Sequence, residues 1–158
     1  MDPVKVVNSS WGFCKGSAVG RFFFSLLVGM IAPYSGTTFA RVLKIESGES
    51  KLVLNDRRGV RNHLGSIHAI AFTNVAELAS GLALFSKVPE GTRGIIKKIE
   101  MEYFKKARGR ILVEGLANPP AEITENIVLI STSKLFDNSG DLVASFNATW
   151  QIGPRKVS

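Results

Sequence analysis

The chain has 158 residues, 45% hydrophobic and 21% charged, which excludes an intrinsically disordered segment and suffices for one globular domain with a full core. A formal charge of +7 and a pI near 9.8 point to polyanions (nucleic acid, an acidic membrane surface, a phosphate-rich cofactor) or to a solvated basic surface with no partner. The single cysteine, Cys14, excludes an internal disulfide and fits a reducing compartment, here the cytoplasm.

Residues 1–20 are mixed. Behind Lys15 and Arg21, the run from Phe22 to Ala32 has the look of a signal-peptide core, with Thr38-Phe39-Ala40 as a weak cleavage signal. The run starts late, however, and is too short to span a bilayer. Phe22, Leu26, Val28 and Ala32 fall at helical spacing, so the expectation is a packed N-terminal helix over about residues 15–32 and no integral membrane segment. Pro33-Tyr34-Ser35-Gly36 stops it. Residues 37–46 and 51–55 then read as two strands joined across Ser47-Gly48-Glu49.

After the charged turn Asp56-Arg57-Arg58-Gly59, the segment from Arg61 to Phe85 becomes apolar nearly all round. Between Ile67 and Leu84 only His68, Thr73, Asn74, Glu77 and Ser80 are polar. Such a helix must be buried, and a carboxylate at its centre argues for protein surroundings over lipid. We expect a central helix over about residues 66–86 with Ser66 as its N-cap. Thr73, Glu77 and Ser80 share one stripe of it, at i, i+4 and i+7, which lines either a substrate groove or a polar subunit seam.

Four further strands are expected at 95–106, 110–116, 126–136 and 142–152. In the last, Leu142, Ala144, Phe146, Ala148, Trp150 and Ile152 alternate with polar residues, as in a half-buried antiparallel strand. The order of elements gives an α+β domain over residues 1–158, an antiparallel sheet curled over one central helix.

Asn62-x-x-Gly65-x-x-His68, with Glu77 nine residues further on, resembles the signature of hotdog-fold acyl-CoA thioesterases. The likeness is to the phenylacetic-acid-degradation (PaaI-like) type and its uncharacterised relatives, and it extends from about Pro33 to Ile152. It implies that Asn62 positions the water or thioester, that backbone N–H groups at Gly65 and Ala69 face the thioester carbonyl, and that Glu77 is general base or nucleophile. N–H groups at a helix start suit a developing oxyanion. His68 has two readings, a direct chemical role or the orientation of the turn. Glu77 has two as well, a catalytic acid or a member of a structural ion-pair network.

Two departures stand out. The family's His-Gly-Gly is His68-Ala69-Ile70 here, and the helper hydroxyl that some relatives carry after the helix falls on Ile96, with Thr92 nearest. The implied function is hydrolysis of acyl-CoA thioesters; the alternative is a non-catalytic module that binds acyl-CoA or acts as an interaction domain. Coenzyme A enters as part of the substrate, with no separate cofactor and no metal. Lys97, Lys98, Lys105, Lys106, Arg108 and Arg110, expected on one strand pair and its turn, are candidates for the CoA phosphates or for a charged sheet edge. Few aromatics interleave with them, which argues against nucleic acid. At about 100° and 1.5 Å per residue, His68 and Glu77 point to opposite sides, about 13 Å apart along the axis. A homodimer or dimer of dimers is therefore expected, with the site shared between subunits.

Overall fold

The computed structural model describes residues 2–155. Helices α1 (Pro3–Cys14), α2 (Ala18–Ile31) and α3 (Pro33–Gly36) lead into strands β1 (Arg41–Glu46) and β2 (Glu49–Leu54). Helix α4 (Ala69–Phe85) follows, then β3 (Thr92–Tyr103), β4 (Ile111–Ala117), β5 (Ile127–Phe136) and β6 (Leu142–Pro154). The strands form one antiparallel sheet in the order β1-β2-β4-β5-β6-β3.

Helix α4 packs across β1, β2, β4, β5 and β6. Its small residues let the sheet come close: Ala76, Ala79 and Ala83 are fully buried. At the tightest approach a Cβ on Gly115 would sit 2.4 Å from the Ala79 carbonyl oxygen, so only glycine fits. Two serines of the sheet donate to helix carbonyls there, Ser50 Oγ to Ala79 at 2.7 Å and Ser133 Oγ to Ala76 at 2.8 Å. A helix buried this deeply thus gains polar partners without exposure to water.

The sheet alternates as its sequence requires, with Ala144, Phe146, Ala148, Trp150 and Ile152 of β6 all buried. Leu142 departs from the expectation: it is exposed, and Val143 is buried instead. The β5–β6 register shifts by a bulge between Leu135 and Phe136, which turns the start of the strand over. At the other end of the sheet β3 is an edge strand, and α4 scarcely reaches it. Ile99 and Tyr103, on its inner face opposite Ala148 and Ala144, are left exposed.

The N-terminal segment is more regular than its sequence suggests. Asp2 caps α1 by accepting from Val4 N at 3.0 Å with Pro3 at the first turn, and its other oxygen accepts from Gly91 N at 2.8 Å. Trp11 of α1 reaches the Ile45 carbonyl at 2.8 Å. The expected helix over 15–32 is α2, capped by Ser17 and packed on β1 through buried Phe24 and Val28. The strand expected from residue 37 starts only at Arg41, because residues 37–40 form a turn and Phe39 adopts φ 51°. Among the described residues no helix is long and apolar enough to cross a membrane.

Candidate active site

The loop before α4 is built around Asn62. Its Oδ1 accepts from Leu64 N at 2.9 Å and from Ser66 N and Ser66 Oγ, each at 3.2 Å. Gly65 takes φ 68° in this turn, a left-handed conformation that favours glycine. The loop is tied from outside as well: Ile67 N donates to Ala107 O at 3.0 Å, and Arg108 donates to the Gly65 and Leu64 carbonyls. Asp56 closes the frame, with Arg61 Nε at 2.6 Å on one oxygen and Gly109 N at 2.8 Å on the other. The Arg61 guanidinium and the Gly109 N–H together hold the Asp56 carboxyl below the usual carboxylate range.

The helix starts three residues later than expected. His68, not Ser66, is the N-cap, its Nδ1 accepting from Ile70 N at 3.0 Å. Ser66 is buried and spends its hydroxyl on Asn62. Imidazole capping leaves Nδ1 unprotonated and the other ring nitrogen as donor. The Ala71 and Phe72 N–H groups return to His68 O, whereas the Ala69 N–H has no backbone acceptor among the described residues. That N–H is the open donor of the helix start.

Two clefts flank this helix start. One, about 320 Å³, is lined by Asn62, Ser66, Ala69, Tyr103, Lys105 and Lys106, among others. The other, about 200 Å³, holds His68, Ile70 and Asn74 against Tyr34, Thr37 and Arg61. Asn62 and His68 therefore face different spaces, although they belong to one motif. Tyr103 of β3 closes the first cleft by donating to Ala69 O at 3.0 Å, with its hydroxyl 2.8 Å from Thr73 Oγ1.

Glu77 lies in the middle of α4 and lines neither cleft. It is half-buried and makes no salt bridge among the described residues. Burial alone pushes its carboxyl above the usual range. Thr73 stands one turn before it on the open face of the helix, whereas Ser80 is fully buried and donates to the Glu77 carbonyl at 3.0 Å. Ser80 thus braces the helix backbone inside the core.

The basic residues do not share a strand pair, because β3 and β4 are separated in the sheet by β6 and β5. Lys98 bridges Glu100 at 2.8 Å, and Lys105 is held between Asp137 and Asp141 at 2.7 and 2.6 Å. Arg108 serves the loop as described. Lys97, Lys106 and Arg110 make no ion pair among the described residues, and only Lys105 and Lys106 of the six line the cleft at Asn62. Thr92 is buried, with its hydroxyl spent on Pro89 O at 2.7 Å.

Three features escaped sequence reasoning. Tyr103 gave no signal beyond strand alternation. Asp56 sits in a charged turn, where aspartate is common. Asn74 was visible as a polar residue in an apolar run. It is buried, donates to Tyr34 O at 2.9 Å and leaves its Oδ1 without a partner among the described residues.

Residues 20–152 match the family model described as a domain of unknown function, DUF4442. No curated protein matches the chain. The structural-genomics crystal structure APC5556 is 24% identical, with a TM-score of 0.79 over 94% of this chain and 99% of that one. A protein of unknown function from Pseudomonas aeruginosa, described as a probable thioesterase, is 23% identical, with a TM-score of 0.72 over 82% of this chain and 92% of its own. A hypothetical thioesterase protein from Streptococcus pneumoniae, solved with coenzyme A, is 14% identical, with a TM-score of 0.67 over 81% and 99%. At these identities the likeness fixes the fold, a hotdog domain, and leaves the chemistry to be argued from the site.

Proposed function

Because the chain belongs to the DUF4442 family, a domain of unknown function, we propose its activity from its site: hydrolysis of acyl-CoA thioesters to the free acid and coenzyme A. The observation that carries this reading is Glu77, a half-buried carboxylate without an ion-pair partner among the described residues, held above its usual pKa by burial. A structural ion-pair role would give it a cation, and none of the salt bridges among the described residues includes it. A raised carboxyl pKa suits a general base that must take a proton from water near neutrality.

The thioester carbonyl is bound in the cleft beside Asn62, where the free Ala69 N–H donates to the oxygen as negative charge develops. Asn62 Nδ2, unbonded among the described residues because only Oδ1 holds the turn, orients the attacking water or the thioester. His68 acts through the loop, fixing the helix start by its cap. Glu77 activates the water, or attacks the carbonyl directly to give an anhydride that water then opens. Since Glu77 is remote from the Asn62 cleft of its own chain, the working site pairs the loop of one protomer with the helix of another in a homodimer or dimer of dimers. Lys106, at the cleft rim, meets the phosphates of coenzyme A.

One observation favours a second reading, a module that binds acyl-CoA without turning it over. Ile96 carries no helper hydroxyl, and that of Thr92 is committed to Pro89. A panel of acyl-CoAs followed by thiol release separates the two. Turnover that Glu77→Gln lowers about 100-fold or more supports hydrolysis. Tight binding with no thiol release from any thioester makes the protein a binding module.

A further inference from the structure

A cavity of about 480 Å³ lies away from both clefts, between α2, α3 and the start of β1. Its walls are Phe22, Leu26, Val28, Met30 and Phe39, and Leu78 of α4 also lines it. Two of the three hydroxyl side chains in its lining are used, Ser25 Oγ donating to Arg21 O and accepting from Val42 N, and Thr37 Oγ1 donating to Tyr34 O; Ser35 is the third. A ligand there meets mostly apolar residues, with Ser35 and Arg41 the remaining polar residues in the lining. Four walls, Phe22, Leu26, Met30 and Phe39, are exposed in the chain, Met30 by 70%.

Two features fix the walls of this space. Phe39 stands at φ 51°, an uncommon backbone for a bulky residue, with Arg57 stacked 4.6 Å above its ring and donating to Thr37 O. Asn74 of α4 anchors α3 through Tyr34 O. Asn74 and Leu78 are one turn apart on the same flank of α4, and Leu78 follows Glu77 directly, about 100° round the helix. The cavity therefore reaches α4 at the residue next to the carboxylate, and Glu77 itself does not line it.

We propose that this cavity receives the acyl tail of the thioester, so that the substrate is an acyl-CoA of about eight carbons or more. The inference rests on the hydrolase reading only for the position of the thioester; the protomer that supplies Glu77 also supplies the tail pocket. At about 30 Å³ per methylene, close to the share of one water in the liquid, ten carbons need about 300 Å³. The cavity exceeds that. Each buried methylene contributes about threefold to fourfold in binding, so preference should climb with length until the space is full.

The test uses the full chain and a series of CoA thioesters from butyryl to dodecanoyl, with Leu26→Trp and Met30→Trp to fill the cavity from residues outside the proposed chemistry. Wild-type kcat/KM should rise with chain length. Both variants should lose tenfold or more on dodecanoyl-CoA and stay within about twofold of wild type on butyryl-CoA. A flat or falling length profile, or equal loss on both thioesters, overturns the proposal. Calorimetric binding of dodecanoyl-CoA to the Glu77→Gln protein decides the matter independently of turnover. Affinity that drops tenfold or more with Met30→Trp, while CoA alone binds unchanged, supports the pocket even if no thioester is hydrolysed. Dodecanoyl-CoA binding that ignores both tryptophans, or matches that of CoA alone, overturns it.

Discussion

At the scale of single residues the chain trades stability for a carboxylate in the wrong solvent. Folding raises the pKa of Glu77 by desolvation, so the unfolded chain ionises it more readily than the folded one. Below the unfolded pKa both states are protonated and Glu77 costs nothing; as pH rises toward the folded pKa the penalty grows, and above it the penalty is complete. Glu77→Gln should therefore raise the melting temperature at pH 7 to 8, with the gain fading as the pH is lowered to about 4. The same substitution should abolish a turnover that in wild type falls as pH drops through the raised pKa. Thermal scans across pH, read beside rates, test both halves. A variant less stable than wild type at pH 8 would mean that the carboxylate makes a stabilising contact. Asn62 separates differently, because its oxygen builds the turn and its amide nitrogen is left for substrate. Asn62→Asp keeps the acceptor and should fold normally while losing tenfold or more in rate; Asn62→Ala should also lose about 1 kcal/mol of stability. An Asn62→Asp enzyme with full activity would reduce Asn62 to a turn former.

Among the elements, those written in short-range pattern were legible and those fixed by long-range partners were not. The alternation in β6 and the apolar run of α4 fixed both, because burial on one face or all round leaves a period in the sequence. The helix cap moved by two residues, from Ser66 to His68, since both are plausible caps and only the fold decides that Ser66 bonds Asn62. Helix α1 was missed although Asp2-Pro3 is a start signal, because its partners are a strand carbonyl at Ile45 and a turn at Gly91. The pairing of β3 with β6 was beyond local reading, and with it went the picture of one basic strand pair. Lys98 and Lys105 are held in ion pairs and Arg108 supports the loop, so Lys97, Lys106 and Arg110 are the cations of the six left for phosphate among the described residues, Lys106 alone of them lining the Asn62 cleft. Neutralising Lys106 and Arg110 should raise KM for acyl-CoA more than it lowers kcat. The effect should shrink with salt and vanish with acyl-pantetheine. Equal losses on both thioesters would return these residues to a solvated edge.

At the scale of the whole molecule, two unfinished surfaces point the same way. Strand β3 ends the sheet with Ile95, Ile99 and Tyr103 exposed, and α4 leaves Ile70 exposed and Thr73 and Glu77 only partly covered on the side toward it. A long apolar edge is an aggregation hazard unless something pairs with it. A two-fold axis beside β3 would cover both surfaces at once and set the Asn62 loop of one protomer near the α4 helix of the other. The proposed chemistry then predicts complementation. Asn62→Ala and Glu77→Gln proteins are each nearly inactive as homodimers, since every site carries one lesion. After subunit exchange, a mixed dimer has one site with both lesions and one with neither. Random pairing makes about half the dimers mixed, each with one intact site of two, so activity should recover to roughly a quarter of wild type. Exchange is verified by mass-tagged subunits, and the recovery is measured on the best thioester of the panel. Verified exchange with no recovery would place Asn62 and Glu77 in the same subunit's site or in no common site.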